Sequence, residues 1–482
     1  MAHRRDSRPS LTGVNRPEDA ARLIERVETH GIRFINLEFC DVVGLAKCVT
    51  IPAEQLGDTL AHGKWFDGSA LEGFARVAEA DMYLRPDLAT YAEVPWHSTI
   101  EARQRNGLAA AEGEGAPSGR VARLICDVLM PSGERFAGDP RSVLISALEA
   151  AAALGYRYEV SPELEFFLLQ GDGSAGQAPE PLPHDRGGYF DLSTDIAADV
   201  RREIVAELGR MGIGIETSHH EVAAGQHELD FTPADALRIA DAVVTARYAI
   251  KAIAQRHGLW ATFMPKPFYG INGSGMHTHQ QLIRLSDGTD AFADAADEQY
   301  GLSALGRQFV AGQLTHAQGI SAIVAPLVNS YKRLVPGYEA PVMVTWGRVN
   351  REALVRVPRV PAGQMGHVRV ELRSPDPSCN PYLAFAVMLH AGLAGIQNGL
   401  TPPAPVEEGL YTLEEHDRLR RGIGLLPATL GEALEALRAD DLMHAALGEQ
   451  IGAWFLDAKA REWKDYRQLV HPWELERYLP QF

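Results

Sequence analysis

The apolar residues of this chain change their period several times, and the changes divide it into elements. Near the N-terminus, IRFINLEFCD (32–41) and AKCVTIP (46–52) are short β-like runs set among turns. QRNGLAAAEGEGAPSGR (104–120) is rich in Gly, Ala and Glu with little to bury, and it predicts a flexible loop. RVARLICDVLM, from Arg120, is a β-branched apolar run that predicts a buried strand. At Asp139 and Pro140 the texture becomes helical, with Asp139 as N-cap, Pro140 as first residue and Gly155 as stop. YRYEVSPELEFFLL (156–169) predicts a strand, and a second helix is expected near 196–211. TPADALRIADAVVTARYAIKAIAQRHG (232–258) predicts a long helix capped by Thr232, entered through Pro233 and closed by Gly258. Helical patterns dominate the last eighty or so residues, and no internal repeat is found. The pattern predicts an α+β or α/β chain with a small N-terminal β domain.

Length and charge narrow the class. The 482 residues imply two or more domains, or one large domain with a smaller companion. No run approaches the roughly 18–20 apolar residues of a membrane span. MAHRRDSRPS carries charge with no apolar run after it, so residues 1–16 read as a disordered tail and not as a secretory signal. Cys40, Cys48, Cys126 and Cys379 lie far apart without a C-x-x-C pair, which predicts reduced, mostly buried thiols and a cytoplasmic protein. The net charge of −17 argues against a nucleic-acid partner, although clustered arginines can still bind small anions.

The candidate chemistry lies on strand faces. In VRVELR (368–373), Val368, Val370 and Leu372 share one side while Arg369, Glu371 and Arg373 share the other. One reading is a half-buried strand with a solvated polar face. The other is a cavity wall where a metal and an anion meet. PELEFF sets Glu163 and Glu165 on one side with Leu164 and Phe166 opposite, SHHEVAAGQHELDF offers Glu221 and Glu228, and NGSGMHTHQQL puts His277 and His279 on one face. Acidic faces inside apolar strands repel themselves unless a cation intervenes. Several carboxylates with an imidazole suit Mg²⁺ or Mn²⁺, and no cysteine cluster favours zinc. Arg333, Arg351, Arg356, Arg369 and Arg373 supply guanidinium forks for carboxylates or phosphates. Metals beside arginines point to phosphoryl transfer.

FDGSALEGF, HHEVAAGQHELDF, FMPKPFYGINGSGMHTH, NSYKRLVPGYEAP and VELRSPDPSCNPYLAFA resemble, in order, the signature segments of class I glutamine synthetase, and the resemblance runs from about residue 17 to the C-terminus. It implies an α+β fold, with a β-grasp-like domain over 17–131 and a catalytic domain over 132–482 whose curved antiparallel sheet is backed by helices. It implies ATP as co-substrate and two or more divalent ions, held by Glu165, Glu221 and Glu228 and by Glu163, His277 and Glu371. Arg369 and Arg356 match phosphate-binding positions, His279 a nucleotide contact, and Arg351 the residue that steadies the transferring phosphoryl group. Arg333 and Arg373, with Asn272 and Gly273, match the glutamate clamp. Tyr189, Glu221, Glu339 and an Asp67 from a neighbouring subunit match the amine pocket, so the resemblance also implies a homo-oligomer, a dodecamer of two stacked six-membered rings.

The implied reaction joins glutamate to ammonia through γ-glutamyl phosphate. Ala70, in FDGSA, stands where the family's F-D-G-S-S motif carries a hydroxyl, which leaves an alkylamine, ethanolamine or polyamine as an alternative nucleophile. Gly366 replaces a common lysine and Gln281 a common serine among nucleotide contacts, and Tyr411 lies near a position that some members modify. A weakly catalytic regulatory paralogue is a further alternative, and the complete carboxylate set weighs against it.

Overall fold

The computed structural model describes residues 17–68, 81–96, 120–171, 181–360, 367–409 and 414–482. The expected tail, residues 104–119 of the expected loop, Ala70, Gly366 and Tyr411 lie outside them. Two sheets organise the described chain. The first contains β1 (Ile32–Cys40), β2 (Ala46–Pro52), β3 (Lys64–Asp67), β4 (Asp81–Pro86), β5 (Ala92–Glu93) and β6 (Arg120–Leu129). Its order is β2-β1-β6-β4-β3, with β5 also on β6. The apolar runs read from the sequence fall on β1, β2 and β6, and β6 is buried from Ala122 to Leu129.

The second sheet is built on β7 (Tyr156–Gln170), and its main path runs β16-β13-β14-β15-β12-β7-β9-β8. The strands are β8 (Ile215–His220), β9 (Gln226–Phe231), β10 (Ala234–Asp235), β11 (Leu259–Thr262), β12 (Thr278–Arg284), β13 (Met343–Gly347), β14 (Ala353–Arg356), β15 (Val370–Leu372) and β16 (Gly424–Leu425). Its described pairs are antiparallel except β13 with β14. β7 pairs with β12 through Pro162 and with β9 from Glu163, so it changes partners beside a residue that has no N–H to donate. Helices Pro140–Ala153, Ala236–Arg256 and Pro381–Gln397 bury their apolar residues in one core with the sheet.

The caps read from the sequence hold at one helix and shift at another. Asp139 accepts the Arg141 N–H at 3.0 Å, Pro140 opens the helix, and Gly155 follows it at φ 88°. The long helix begins at Ala236 and not after Thr232. Ala234 and Asp235 pair with Val160 and Glu159 as β10, and Asp235 accepts the Leu237 N–H at 3.0 Å in place of Thr232. A strand partner overrides a local capping signal there. Of the cysteines, Cys40, Cys126 and Cys379 are buried and Cys48 is exposed, all as free thiols. No described helix is long and apolar enough to cross a membrane.

One guanidinium joins the two sheets. Arg141, 2% exposed, forks onto Asp241 with two 3.1 Å bonds and reaches Asp87 at 2.7 Å and Asp127 of β6. Asp241 also accepts the Tyr382 hydroxyl at 2.7 Å, which draws the Pro381–Gln397 helix into the joint. Arg85 also reaches Asp127 at 3.0 Å and Arg238 reaches Asp87 at 3.3 Å, but Arg141 is the cation bonded to all three carboxylates, and removing it leaves them short of charge. Arg141→Met is therefore expected to cost about 3–5 kcal/mol, the range for breaking a buried ion pair from one side. A lowered urea midpoint checks this, and an unchanged midpoint contradicts it.

Candidate active site

Strand register collects the charged side chains. Arg356 of β14 lies directly opposite Glu371 of β15, Glu371 opposite His279 of β12, and His279 opposite Ser161 of β7. Two residues along β7 is Glu163, and two further is Glu165, which faces Glu228 of β9. Glu228 in turn faces His219 of β8. The alternation that puts these groups on one side puts Val368, Val370, Leu372, Leu164 and Phe166 in the core on the other. Glu371 is 0% exposed, so the solvated-face reading of VRVELR fails.

Glu371 is wedged between cations. Arg356 donates to its Oε2 at 2.8 Å and Arg373 to its Oε1 at 3.3 Å, while His277 Nδ1 lies 3.8 Å from Oε1. Glu163 receives His277 Nδ1 at 3.0 Å and His279 Nε2 at 2.8 Å. His279 thus stands in the carboxylate group itself: Glu163, His279 and Glu371 lie close enough together to share one cation. Burial pushes the Glu163 carboxyl up, but the two imidazole hydrogen bonds outweigh it and hold the group well below the usual range. Burial pushes Glu165 up to about 8, with the neighbouring Glu221 adding to the shift. Glu228 also rises well above its ordinary value, through burial and then through Glu165 and Glu163. Glu221 is raised by burial and by Glu339, against an N–H from Val222 and the field of His219. Carboxyls that resist ionisation because they are buried and then because they crowd one another are what a divalent cation would relieve, so the residues present fit an oxygen-rich metal site.

The remaining expected residues fall into three groups. Arg333 is 4% exposed and lies beneath the cluster, donating to the carbonyls of Ser374 and Arg373 at 3.0 and 3.1 Å, with Nη2 3.3 Å from His277 Nε2. The Gly273 carbonyl accepts from Gln226 at 3.0 Å, with Asn272 half-buried beside it. Arg373 Nη2 reaches the Glu339 carbonyl at 3.4 Å. Glu339 holds φ 56°, a left-handed conformation that costs a non-glycine residue about 1–3 kcal/mol and is concentrated at functional sites. Around the rim, Tyr189 stacks on Phe190 and meets His219 edge-on at 5.6 Å, and Glu221 and Glu228 help raise its hydroxyl pKa, after burial. Arg351, exposed on the β13–β14 connection, acts on Tyr189 in the opposite sense. Arg369 is half-buried and its charge is felt by His279. Asp67 is not with them; it ends β3 on the first sheet, exposed.

The site also contains residues the sequence reading missed. His219 lies 3.6 Å from both Glu221 and Glu228, and its placement two residues before Glu221 on a strand was a readable signal. Gln226 donates to Glu165 at 2.8 Å. At Gly275 an added Cβ would sit 2.5 Å from Arg333 Nη2, 3.0 Å from His277 Nε2 and 3.1 Å from Glu165 Oε1, so the glycine makes room for three groups at once. Gln281, noted as a departure, is buried and donates to Glu159 at 2.8 Å. A separate group, His184, Asp185 and His227, is also compact enough for a cation. There, however, Arg201 bonds to His227 Nδ1 at 2.9 Å, and a guanidinium can only donate. The imidazole proton then sits on Nε2.

Comparisons with known proteins identify the family. Residues 137–478 match the family "Glutamine synthetase, catalytic domain" and residues 31–131 match "Glutamine synthetase, beta-Grasp domain". Glutamine synthetase of Clostridium saccharobutylicum is 47% identical over 461 residues, covering 95% of this chain and 98% of the relative. That of Thermus thermophilus is 47% identical over 465 residues, with 95% and 98% covered. Among solved structures, a GmaS/ADP complex superposes with a TM-score of 0.80 at 33% identity, covering 95% of this chain and 99% of that one. The β-grasp domain and the curled, helix-backed α+β architecture expected from the sequence are those of the family. The chain belongs to the class I glutamine synthetase family.

Proposed function

We propose that this protein is a carbon–nitrogen ligase that uses ATP to join L-glutamate to ammonia, forming glutamine. The observation that carries the reading is the buried carboxylate and imidazole cluster flanked by arginines, in a chain collinear with glutamine synthetases 47% identical over 95% of its length. The 33% identical GmaS structure is compatible with a larger amine but does not favour one.

ATP transfers its γ-phosphoryl group to the γ-carboxylate of glutamate, and ADP leaves. Ammonia then attacks the acyl carbon of the γ-glutamyl phosphate, and inorganic phosphate departs as the amide forms. Divalent ions, Mg²⁺ or Mn²⁺, neutralise phosphate charge when bound. Glu165, Glu221 and Glu228 would hold one and Glu163, His277 and Glu371 another, with His279 beside the second set or on the nucleotide. Arg356 and Arg369 carry the phosphates, and Arg351 steadies the moving phosphoryl group. Arg333 and Arg373 orient the glutamate carboxylates, with Asn272 and Gly273 at the other end. Ammonium must lose a proton before it attacks, and Glu339, Glu221 and Tyr189 form an anionic surface suited to desolvating it and accepting that proton. Asp67, exposed on the first sheet, fits the role of completing this pocket in a neighbouring subunit of a cytoplasmic dodecamer.

Three outcomes test the reading. Phosphate release with ATP and glutamate should depend on ammonium, and a panel of methylamine, ethanolamine and polyamines should be poorer. An enzyme that ignores ammonium but turns over one of those amines would instead be a γ-glutamylamide ligase, and one that binds ATP and glutamate but uses none would be a weak paralogue. Glu371→Gln keeps shape but removes charge between Arg356 and Arg373, and should lower kcat about a hundredfold or more with an unchanged far-UV circular dichroism spectrum. Wild-type kcat at saturating Mg²⁺ would count against the metal assignment. Burial and the neighbouring Glu221 push Glu165 up to about 8, so its carboxyl is largely protonated at neutral pH when no cation is bound, and Glu228 is shifted in the same direction. A cation must displace bound protons, so Mn²⁺ affinity should rise as pH climbs from 6 to 8.5. Calorimetry in buffers of different ionisation enthalpy should detect the released protons, and a flat affinity would contradict it.

A further inference from the structure

The connection that carries Arg351 is held in an unusual way. β13 and β14 run parallel, with Trp346 opposite Val355 and Gly347 opposite Arg356. Only Arg348 to Glu352 lie between the strands, whereas parallel partners ordinarily need a crossover of a dozen or more residues. So short a return has little slack, and no strand ladder of its own supports it.

Another segment does. The Glu407 carboxylate accepts the Arg348 N–H at 2.9 and 3.0 Å, the Val349 N–H at 2.7 Å and the hydroxyl of Tyr300. Tyr300 is 1% exposed, and the Arg348 guanidinium lies 5.0 Å from its ring centre, so the carboxylate sits in a built socket. Asn350 extends the clamp. Its amide donates to the carbonyls of Glu408 at 2.9 Å and Val406 at 3.3 Å, and its oxygen accepts the Glu352 N–H at 2.9 Å. Trp346 fixes the root of the connection, accepting the Val406 N–H at 2.8 Å and donating to the Pro403 carbonyl at 2.7 Å. Arg351 is the exposed crest of a loop whose three preceding residues are all held, Arg348 and Val349 by Glu407 and Asn350 by the carbonyls of Val406 and Glu408.

We propose that Glu407 is a positioning residue: through the N–H groups of Arg348 and Val349 it sets where Arg351 stands over the phosphoryl-transfer site. The inference rests on the reading in which Arg351 meets the transferring phosphoryl group. Its physical basis is that catalysis of this kind depends on placement, where about 1 Å of error costs on the order of a hundredfold.

A double-mutant cycle in the full-length, assembled enzyme tests it, with Glu407→Ala made alone and with Arg351→Ala. Glu407→Ala alone should lower kcat about ten- to a hundredfold. KM for ATP and glutamate should stay within about twofold, because the clamp affects the transition state more than ground-state binding. Glu407→Gln, which keeps an acceptor oxygen for the two N–H groups, should restore most of kcat. With Arg351→Ala already present, Glu407→Ala should cost less than about twofold, since its effect runs through a side chain that is gone. A purely structural role would instead lower kcat by the same factor in both backgrounds, and that result overturns the proposal. So does wild-type kcat in Glu407→Ala. If Glu407→Ala does not assemble, Glu407→Asp, which shortens the clamp by one methylene, enters the same cycle with the same expected non-additivity. Wild-type kcat in Arg351→Ala removes the assigned role of Arg351 and the inference with it, whereas a slow Arg351→Ala with additive Glu407 effects removes the inference alone.

Discussion

Glu165 and Glu228 face each other across two paired strands, with Glu163 and Glu221 close by, inside an otherwise apolar sheet. Like charges in direct cross-strand contact destabilise a sheet, and burial makes the conflict worse. The surrounding structure manages that conflict in two ways. Imidazole hydrogen bonds and guanidinium charges satisfy one end, where His277 and His279 meet Glu163 and where Arg356 and Arg373 meet Glu371. At the other end burial and crowding raise the carboxyl pKa values of Glu165, Glu221 and Glu228, which disfavours their ionised forms. The curved sheet, the helices behind it and the buried Arg141 joint all hold this face in place against its own repulsion.

The same logic explains why rigid elements carry the crowded charged groups, while some of the residues proposed to meet substrate lie on connections. Glu163, Glu165, Glu228, His279, Arg356 and Glu371 are on strands whose opposite faces are core. Arg351, Glu339 and Tyr189 are on connections, where small movements accompany binding at low cost. Such connections need anchors of their own. Glu407 and Asn350 supply one for Arg351, and the left-handed backbone at Glu339 records the strain of another tight placement.

Much of this was legible in the sequence because strand alternation is a local code. PELEFF and VRVELR announce their apolar and charged faces directly, and the DP start of the helix at Pro140 is equally local. What could not be read depends on pairing between distant segments. The helix after Thr232 starts late because β10 finds β7 some seventy-five residues upstream. Arg141 looks like any surface arginine on an amphipathic helix until Asp87, Asp127 and Asp241 converge on it. Gly275 reads as a turn residue, yet what it requires is room beneath Arg333, His277 and Glu165. Glu407 lies in a polar stretch with no periodic signal at all. His219 is different: its spacing from Glu221 was visible, and the signal was passed over.

The most direct test of the carboxylate face as a divalent-cation seat is anomalous diffraction from crystals of the full-length protein grown with Mn²⁺ and a non-hydrolysable ATP analogue. Anomalous peaks are expected among Glu165, Glu221 and Glu228 and among Glu163, His277 and Glu371. Fully ordered side chains at these positions with nucleotide bound and no anomalous density between them would contradict it.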